Sequence, residues 1–130
     1  MTIWIEHVAL WTEELERLRN FYEEFLGGRA SALYRNEATE FESYFVEFDG
    51  GPRLELMRTP DVAHRAGDGH QDLGYVHVAF SLGSEAAVDE LTERIERAGY
   101  EVVDGPRRTG DGYYESVVLD PDGNRVELTV

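Results

Sequence analysis

Leu73-Gly74-Tyr75-Val76-His77-Val78-Ala79-Phe80-Ser81-Leu82 is a nearly continuous apolar run with a single imidazole, His77, in its middle. A short apolar run with β-branched and aromatic residues reads as one buried strand. A similar stretch stands near the N-terminus, Trp4-Ile5-Glu6-His7-Val8-Ala9-Leu10, with His7 in its centre. Two further segments match each other, Arg53-Leu54-Glu55-Leu56 and Arg125-Val126-Glu127-Leu128. His7 and His77 are 70 residues apart and Glu55 and Glu127 are 72 apart. Such a spacing marks an internal repeat, which outweighs any local motif as a guide to architecture.

Both halves can be read in the same order. Residues 3–10 form a strand, and Thr12 caps a helix carrying Glu13 and Glu14 in its first turn, where the helix dipole favours acids. Leu15, Leu18, Tyr22 and Phe25 recur at helical spacing, and Gly27-Gly28 ends the helix. Strands are expected over 29–35, 41–49 and 53–58, the last two joined by Gly50-Gly51-Pro52. Residues 59–72 are polar and turn-rich. After them come a strand over 73–82, a helix capped by Ser84 with Val88, Leu91, Ile95 and Ala98 on one side, Gly99 as its stop, and strands near 101–108, 112–120 and 124–130. Asp120-Pro121-Asp122-Gly123-Asn124 supplies the final turn. The expected class is α+β, one domain over 1–130 built from two βαβββ modules, 1–58 and 73–130, joined by the linker 59–72. The strands are mostly antiparallel, and each helix covers one face of its sheet while the other face forms a cup.

Strand alternation assigns Val8, Leu10, Leu54, Leu56, Val76, Val78, Phe80, Val126, Leu128 and Val130 to the faces under the helices. His7, Glu55, His77 and Glu127 fall on the other faces, beside Ile5, Ala9, Arg53, Met57, Tyr75, Ala79, Arg125 and Thr129. A single strand histidine is usually a hydrogen-bonded core residue, and a single strand-end glutamate is usually solvated. Four at matched places in two repeats read instead as one metal site. Two imidazoles and two carboxylates suit Zn, Ni, Co, Fe or Mn, and an octahedral shell leaves two positions for water or substrate. His64 and His70 in the linker have no repeat partner and read as solvated. Tyr113 and Tyr114 read as strand packing or pocket lining, and Trp4 and Trp11 as core or interface.

Composition narrows the rest. The chain has 130 residues and is 42% apolar, enough for one core. It lacks an apolar run of roughly 18 residues, and its N-terminus has no basic region before an apolar stretch, so neither a membrane span nor a signal peptide is expected. It contains no cysteine, so a metal must be held by nitrogen and oxygen. The formal charge is -15 and all 12 basic residues are arginine, a balance that repels phosphate backbones and argues against nucleic acid as a partner. It suits a salty cytoplasm or a GC-rich genome.

Phe21-Tyr22-Glu23-Glu24-Phe25-Leu26-Gly27, Gly74-Tyr75-Val76-His77-Val78-Ala79-Phe80, and Asp120–Asn124 leading into Val126-Glu127-Leu128 together resemble the glyoxalase/bleomycin resistance/dioxygenase superfamily, also called vicinal oxygen chelate proteins. The resemblance covers essentially the whole chain. Within it, the His7, Glu55, His77 and Glu127 set is similar to the metal ligands of glyoxalase I. The resemblance implies one divalent metal per site (Ni, Zn or Co, with Fe or Mn as alternatives), a small oxygen-chelating substrate such as a hemithioacetal, and a lyase or isomerase reaction through an enediolate. It makes Glu127 the base, with Glu55 as its counterpart, and implies a homodimer with sites at the interface. Glyoxalase I carries an arginine and an asparagine for glutathione where this chain has Trp11 and Thr59, so the resemblance supports the metal chemistry rather than glutathione. Two other readings remain open. One is a fosfomycin-type thiol transferase or extradiol dioxygenase using His7, His77 and Glu127; the other is a metal-free drug-sequestering protein.

Overall fold

A computed structural model describes residues 1–63 and 73–130. The chain divides into two compact units, Met1–Ala66 and Gly67–Val130. In the first, β1 (His7–Trp11) leads into α1 (Leu15–Leu26), two short strands β2 (Arg29–Ala30) and β3 (Tyr34–Asn36), then β4 (Phe41–Glu47) and β5 (Arg53–Arg58). In the second, β6 (His77–Ser81) leads into α2 (Glu85–Arg97), followed by β7 (Val102–Arg108), β8 (Tyr114–Leu119) and β9 (Arg125–Thr129). The class is the expected α+β, with a βαβββ plan in both units, the first having its second strand broken in two.

Each sheet closes its first strand onto its last. The order is β1-β5-β4-β2, with β3 also on β4, in one unit, and β6-β9-β8-β7 in the other. The β1–β5 and β6–β9 pairings are parallel and the rest antiparallel. A parallel pair needs a long crossover, and here that crossover carries the helix. Proline and turn residues set where these ladders begin. Pro52 donates no N–H and the β1–β5 ladder starts one residue later, at His7 opposite Arg53. Buried Asp120 accepts from the Asn124 backbone N–H at 2.9 Å and from its side-chain amide at 2.9 Å, and the β6–β9 ladder starts at His77 opposite Arg125.

The helices end as their glycines require. Gly27 takes a left-handed φ of 68° and the Gly28 N–H bonds the Tyr22 carbonyl at 3.0 Å. Gly28 lies close against the sheet, since a Cβ built there would meet Val46 Cγ1 at 2.4 Å. Ser84 caps α2 as expected, accepting from the Ala87 N–H at 3.1 Å. The first helix begins later than the sequence suggests. Glu14 stands at its cap, and Thr12, buried, accepts from the Glu14 N–H at 3.1 Å.

The core of each unit lies between helix and sheet. Leu18, Phe21 and Tyr22 of α1 pack over Val46, Leu54 and Leu56; Val88 and Ile95 of α2 lie with Val118, Val126 and Leu128. A polar contact sits within the second core. The buried Thr92 hydroxyl bonds the Val88 carbonyl at 2.6 Å and meets Ser116 Oγ at 2.7 Å, so both hydroxyls are satisfied.

Several expectations need correction. The 73–82 run is not one buried strand: only His77–Ser81 pairs, in an alternating exposed and half-buried pattern, because β6 is an edge strand with β9 on one side alone. Leu73, Tyr75 and Val76 before it are exposed, so Val76 is not under the helix. Residues 3–6 likewise precede β1 and are exposed, which leaves both histidines at the first position of their strands rather than in the middle. The 29–35 strand is two short pieces, both paired to β4. Of the core and interface readings of Trp4 and Trp11, their exposure removes the core. Ala98 is exposed, and Thr92 joins Val88 and Ile95 as the buried positions of α2. Val130 lies past the end of β9 and is 46% exposed. His64 and His70 lie outside the described residues.

Leu128→Ala removes a fully buried side chain and is expected to destabilise the protein by about 2–5 kcal/mol. Val130→Ala should change stability by less than about 0.5 kcal/mol. Urea unfolding followed by circular dichroism measures both, and equal losses would contradict the placement of the core.

Candidate metal-binding sites

Parallel closure sets the geometry of both histidine–glutamate pairs. His7 lies opposite Arg53 and Ala9 opposite Glu55; His77 lies opposite Arg125 and Ala79 opposite Glu127. In each unit the histidine and the glutamate are therefore diagonal neighbours on the same sheet face, the one the helix leaves uncovered. His7 Nε2 is 3.6 Å from Glu55 Oε1, and His77 Nε2 is 3.2 Å from Glu127 Oε2. The side-chain exposures also repeat, 39% and 17% in the first pair against 37% and 18% in the second. Two chemically matched pairs in two independent sequence environments are a repeated construction.

The separations fit a cation. Nitrogen and oxygen ligands about 2.0–2.2 Å from one metal ion sit roughly 3–3.5 Å from each other. Both pairs fall at or near that spacing, with Nε2 turned toward the carboxylate. Among the described residues, no group of three or more His, Asp or Glu gathers into a metal-holding cluster. Each unit thus brings together two of the four expected ligands.

The surroundings of the pairs differ. In the first unit His7 is packed edge-on by Phe45, with ring centroids 5.4 Å apart, and its Nδ1 bonds the Glu6 carboxylate. The Arg53 guanidinium lies 4.0 Å over the Phe45 ring and bonds the same Glu6 through Nε at 2.8 Å. The hydrogen bond from His7, followed by that from Arg53, holds the Glu6 carboxyl below its ordinary value. In the second unit Val117 stands opposite Glu127 as Phe45 stands opposite Glu55. The extra carboxyl there is Glu115, opposite Thr129 and so diagonal to Glu127, with which it is hydrogen-bonded. The corresponding position of the first unit, opposite Met57, holds Ser43.

Glu115 is pushed up from 4.5 to about 7, first by the hydrogen bond to Glu127, then by burial and by the Glu127 charge. A carboxyl that donates to a neighbouring carboxylate is favoured in its protonated form, so Glu115 holds its proton to higher pH than a free glutamate. Neither Glu6 nor Glu115 was legible as a site residue. Alternation puts Glu6 on the face opposite His7, but Glu6 precedes β1, where the pleat does not govern side-chain direction. Glu115 emerges once the β8–β9 register is known. Tyr114 proves to face the helix, its hydroxyl bonding Asp89 at 2.5 Å, while Tyr113 is exposed. An open concavity lined by Glu13, Glu16, Arg17, Asn20, Glu42 and Arg58 lies on the α1 side of its sheet, away from His7 and Glu55.

A βαβββ module used twice, each closing a histidine-bearing first strand onto a glutamate-bearing last strand, defines a two-module α+β protein with a histidine–glutamate pair in each module. The chain belongs to the glyoxalase/bleomycin resistance protein/dioxygenase superfamily, whose family model matches residues 4–128. An uncharacterised protein of Pseudomonas aeruginosa is 33% identical over 130 residues, spanning 96% of this chain and 86% of its own. An uncharacterised protein of Bacillus subtilis is 29% identical over 132 residues, spanning 95% and 96%. A glyoxalase/bleomycin resistance protein/dioxygenase domain from Frankia superposes with a TM-score of 0.83 at 20% identity, covering 100% of this chain and 98% of that one. The trypanothione-dependent glyoxalase I of Leishmania major superposes with a TM-score of 0.78 at 21% identity, covering 98% and 86%. At these identities the solved structures speak to the fold alone. The superfamily includes enzymes such as glyoxalase I, and its members typically bind a divalent metal. Among the described residues no helix is long and apolar enough to cross a membrane.

The raised Glu115 carboxyl gives a signed pH dependence. The folded chain holds a proton there that the unfolded chain gives up near 4.5, so this contribution is fully present below about 4.5 and is lost as pH rises through about 7. In chelator-treated protein, Glu115→Gln should flatten the decline in urea midpoint across that window. A variant with the same decline as the wild type would refute the retained proton.

Proposed function

We propose that this chain is a metal-dependent lyase or isomerase of the glyoxalase I type, in which His7, Glu55, His77 and Glu127 hold one divalent cation, Ni, Zn or Co in preference to Fe or Mn. The observation that carries the reading is the repeated His–Glu pair, with matched register, separation and exposure in both modules. Two such pairs supply two imidazoles and two carboxylates, a borderline-to-hard ligand set free of sulfur. When bound, a cation of this kind polarises substrate oxygens and makes an adjacent C–H more acidic.

The chain's own residues divide the remaining work. The two imidazoles are neutral anchors. Glu127 is the base that removes and returns a proton, because Glu115 beside it gives that carboxyl a partner for a proton. Glu55, with Ser43 rather than a second acid in the matching place, is its counterpart. The substrate is a small molecule offering two neighbouring oxygens, such as the hemithioacetal of a 2-oxoaldehyde and a thiol. Trp11, Phe41, Phe45 and Met57 give the first module's face an apolar stretch against which a carbon portion can rest.

Elemental analysis after dialysis tests the centre. About one Ni, Co or Zn per chain is expected, lost from His77→Ala and His7→Ala with the circular dichroism spectrum unchanged. Glu127→Gln should lower turnover of methylglyoxal plus thiol by at least about 100-fold. Metal retained by both histidine variants, or no uptake when each metal is supplied in turn, would remove the proposal.

The working form is a homodimer. The segments leading into the two histidine strands expose Ile3, Trp4 and Ile5, and Leu73, Tyr75 and Val76, apolar side chains that a second copy could cover. Light scattering should give twice the 14.8 kDa chain mass, and Trp4→Glu with Tyr75→Glu should shift it toward the monomer. A wild-type monomer at all concentrations would reject the dimer.

A further inference from the structure

His7 differs from His77 in one respect that the repeat does not explain. Its Nδ1 bonds the carboxylate of Glu6, the preceding residue. That carboxylate is in turn fixed: Arg53 donates to it through Nε at 2.8 Å, and the Arg53 backbone N–H bonds the Glu6 carbonyl at 3.0 Å. Arg53 itself lies over the Phe45 ring, which meets the His7 ring at right angles. Glu6, His7, Arg53 and Phe45 thus close a ring of contacts around the imidazole, leaving Nε2 facing Glu55. In the second module the residue before His77 is Val76, which has no acceptor side chain.

A neutral imidazole carries its proton on one nitrogen and its lone pair on the other, and the free ring favours the proton on Nε2. A carboxylate on Nδ1 reverses that preference and presents the Nε2 lone pair. We propose that Glu6 is a positioning residue for His7, one that fixes the Nδ1–H tautomer and aims Nε2 at a divalent cation, whereas among the described residues no carboxylate meets His77 Nδ1. The inference rests on the metal reading above for its consequence, and on the contacts themselves for the tautomer. It makes the two histidines unequal: His7 is pre-set before the cation arrives, and His77 takes up its tautomer as the cation binds.

The test uses the full chain with Glu6→Ala and Glu6→Gln, the second keeping an oxygen acceptor of similar size. Nitrogen-15 correlation spectra of the metal-free protein, at a pH where both rings are neutral, read each tautomer directly. The wild type should show His7 as Nδ1–H; Glu6→Ala should convert it to mainly Nε2–H, with His77 unchanged, and Glu6→Gln should recover part of the Nδ1–H form. Competition with a chromophoric chelator should show zinc binding weakened about 10–100-fold in Glu6→Ala and less in Glu6→Gln. A wild-type His7 already in the Nε2–H form, or a Glu6→Ala chain that binds zinc as tightly as the wild type, overturns the role of Glu6 while leaving the metal centre standing. A wild-type chain that takes up no divalent metal overturns the metal reading, whatever the tautomer.

Discussion

Parallel pairing between the first and last strand of each module is the constraint on which the rest depends. A βαβββ chain could place its first strand elsewhere, and the histidine and glutamate would then lie on unrelated parts of the surface. With β1 on β5 and β6 on β9, a histidine and a glutamate nearly fifty residues apart in sequence become diagonal neighbours on one uncovered face. The helix serves the same end. It is the crossover that parallel pairing needs, and by burying Leu54 and Leu56, or Val126 and Leu128, it assigns the alternate residues Glu55 and Glu127 to the open side. A one-residue slip would exchange those faces and put the carboxylates into the core, so the register is held by the whole apolar set.

What surrounds the pairs shows how two copies of one module diverge while the ladder stays fixed. Charge near the first pair is balanced by a fixed cation: Arg53 is bound to Glu6 and stacked on Phe45. Near the second pair the Glu115 carboxyl is pushed up toward neutrality by its hydrogen bond to Glu127 and by burial, so it keeps its proton where an ordinary carboxyl would not. The first arrangement keeps its charges over a wide pH range, because guanidinium does not titrate in water. The second responds to pH near neutrality and to any cation that competes with the proton. The two modules thus differ in how they balance charge beside a repeated histidine–glutamate pair, one with a guanidinium and one with a proton on Glu115.

Much of this was legible in the sequence, and the parts that were not share a physical cause. The repeat, the α+β class, the helix-ending Gly27 and the Ser84 cap are local signals, and they survive because caps and apolar faces act within a few residues. The extent of the histidine strands was not legible. The apolar run from Leu73 looks like strand throughout, yet pairing starts only where the opposite strand becomes available, at Arg125 after the Asp120–Asn124 turn and at Arg53 after Pro52. Those boundaries are set by a segment about fifty residues away. Exposure was misread for the same reason, since apolar residues on an edge strand announce burial without saying what buries them. The tryptophans at 4 and 11 carry that ambiguity in full.

Glu6 and Glu115 illustrate the limit most sharply, because both are ordinary acids in a chain with 27 acidic residues and neither has a repeat partner. Repetition finds what two modules share, and so it finds the two histidine–glutamate pairs. It is blind to what one module has added. Ser43 and Val76 occupy the matching places, a small hydroxyl and an aliphatic side chain, which means that the modules were free to differ one step outside the pairs and not within them. Physical necessity explains the difference. A ligand must reach the cation within a few tenths of an ångström, whereas an outer partner has only to hold a ring or a carboxyl in place. Any residue that can hydrogen-bond or pack does that. The repeated pairs can therefore be read from periodicity, and the groups that hold them, such as Glu6 and Glu115, only from register and contact.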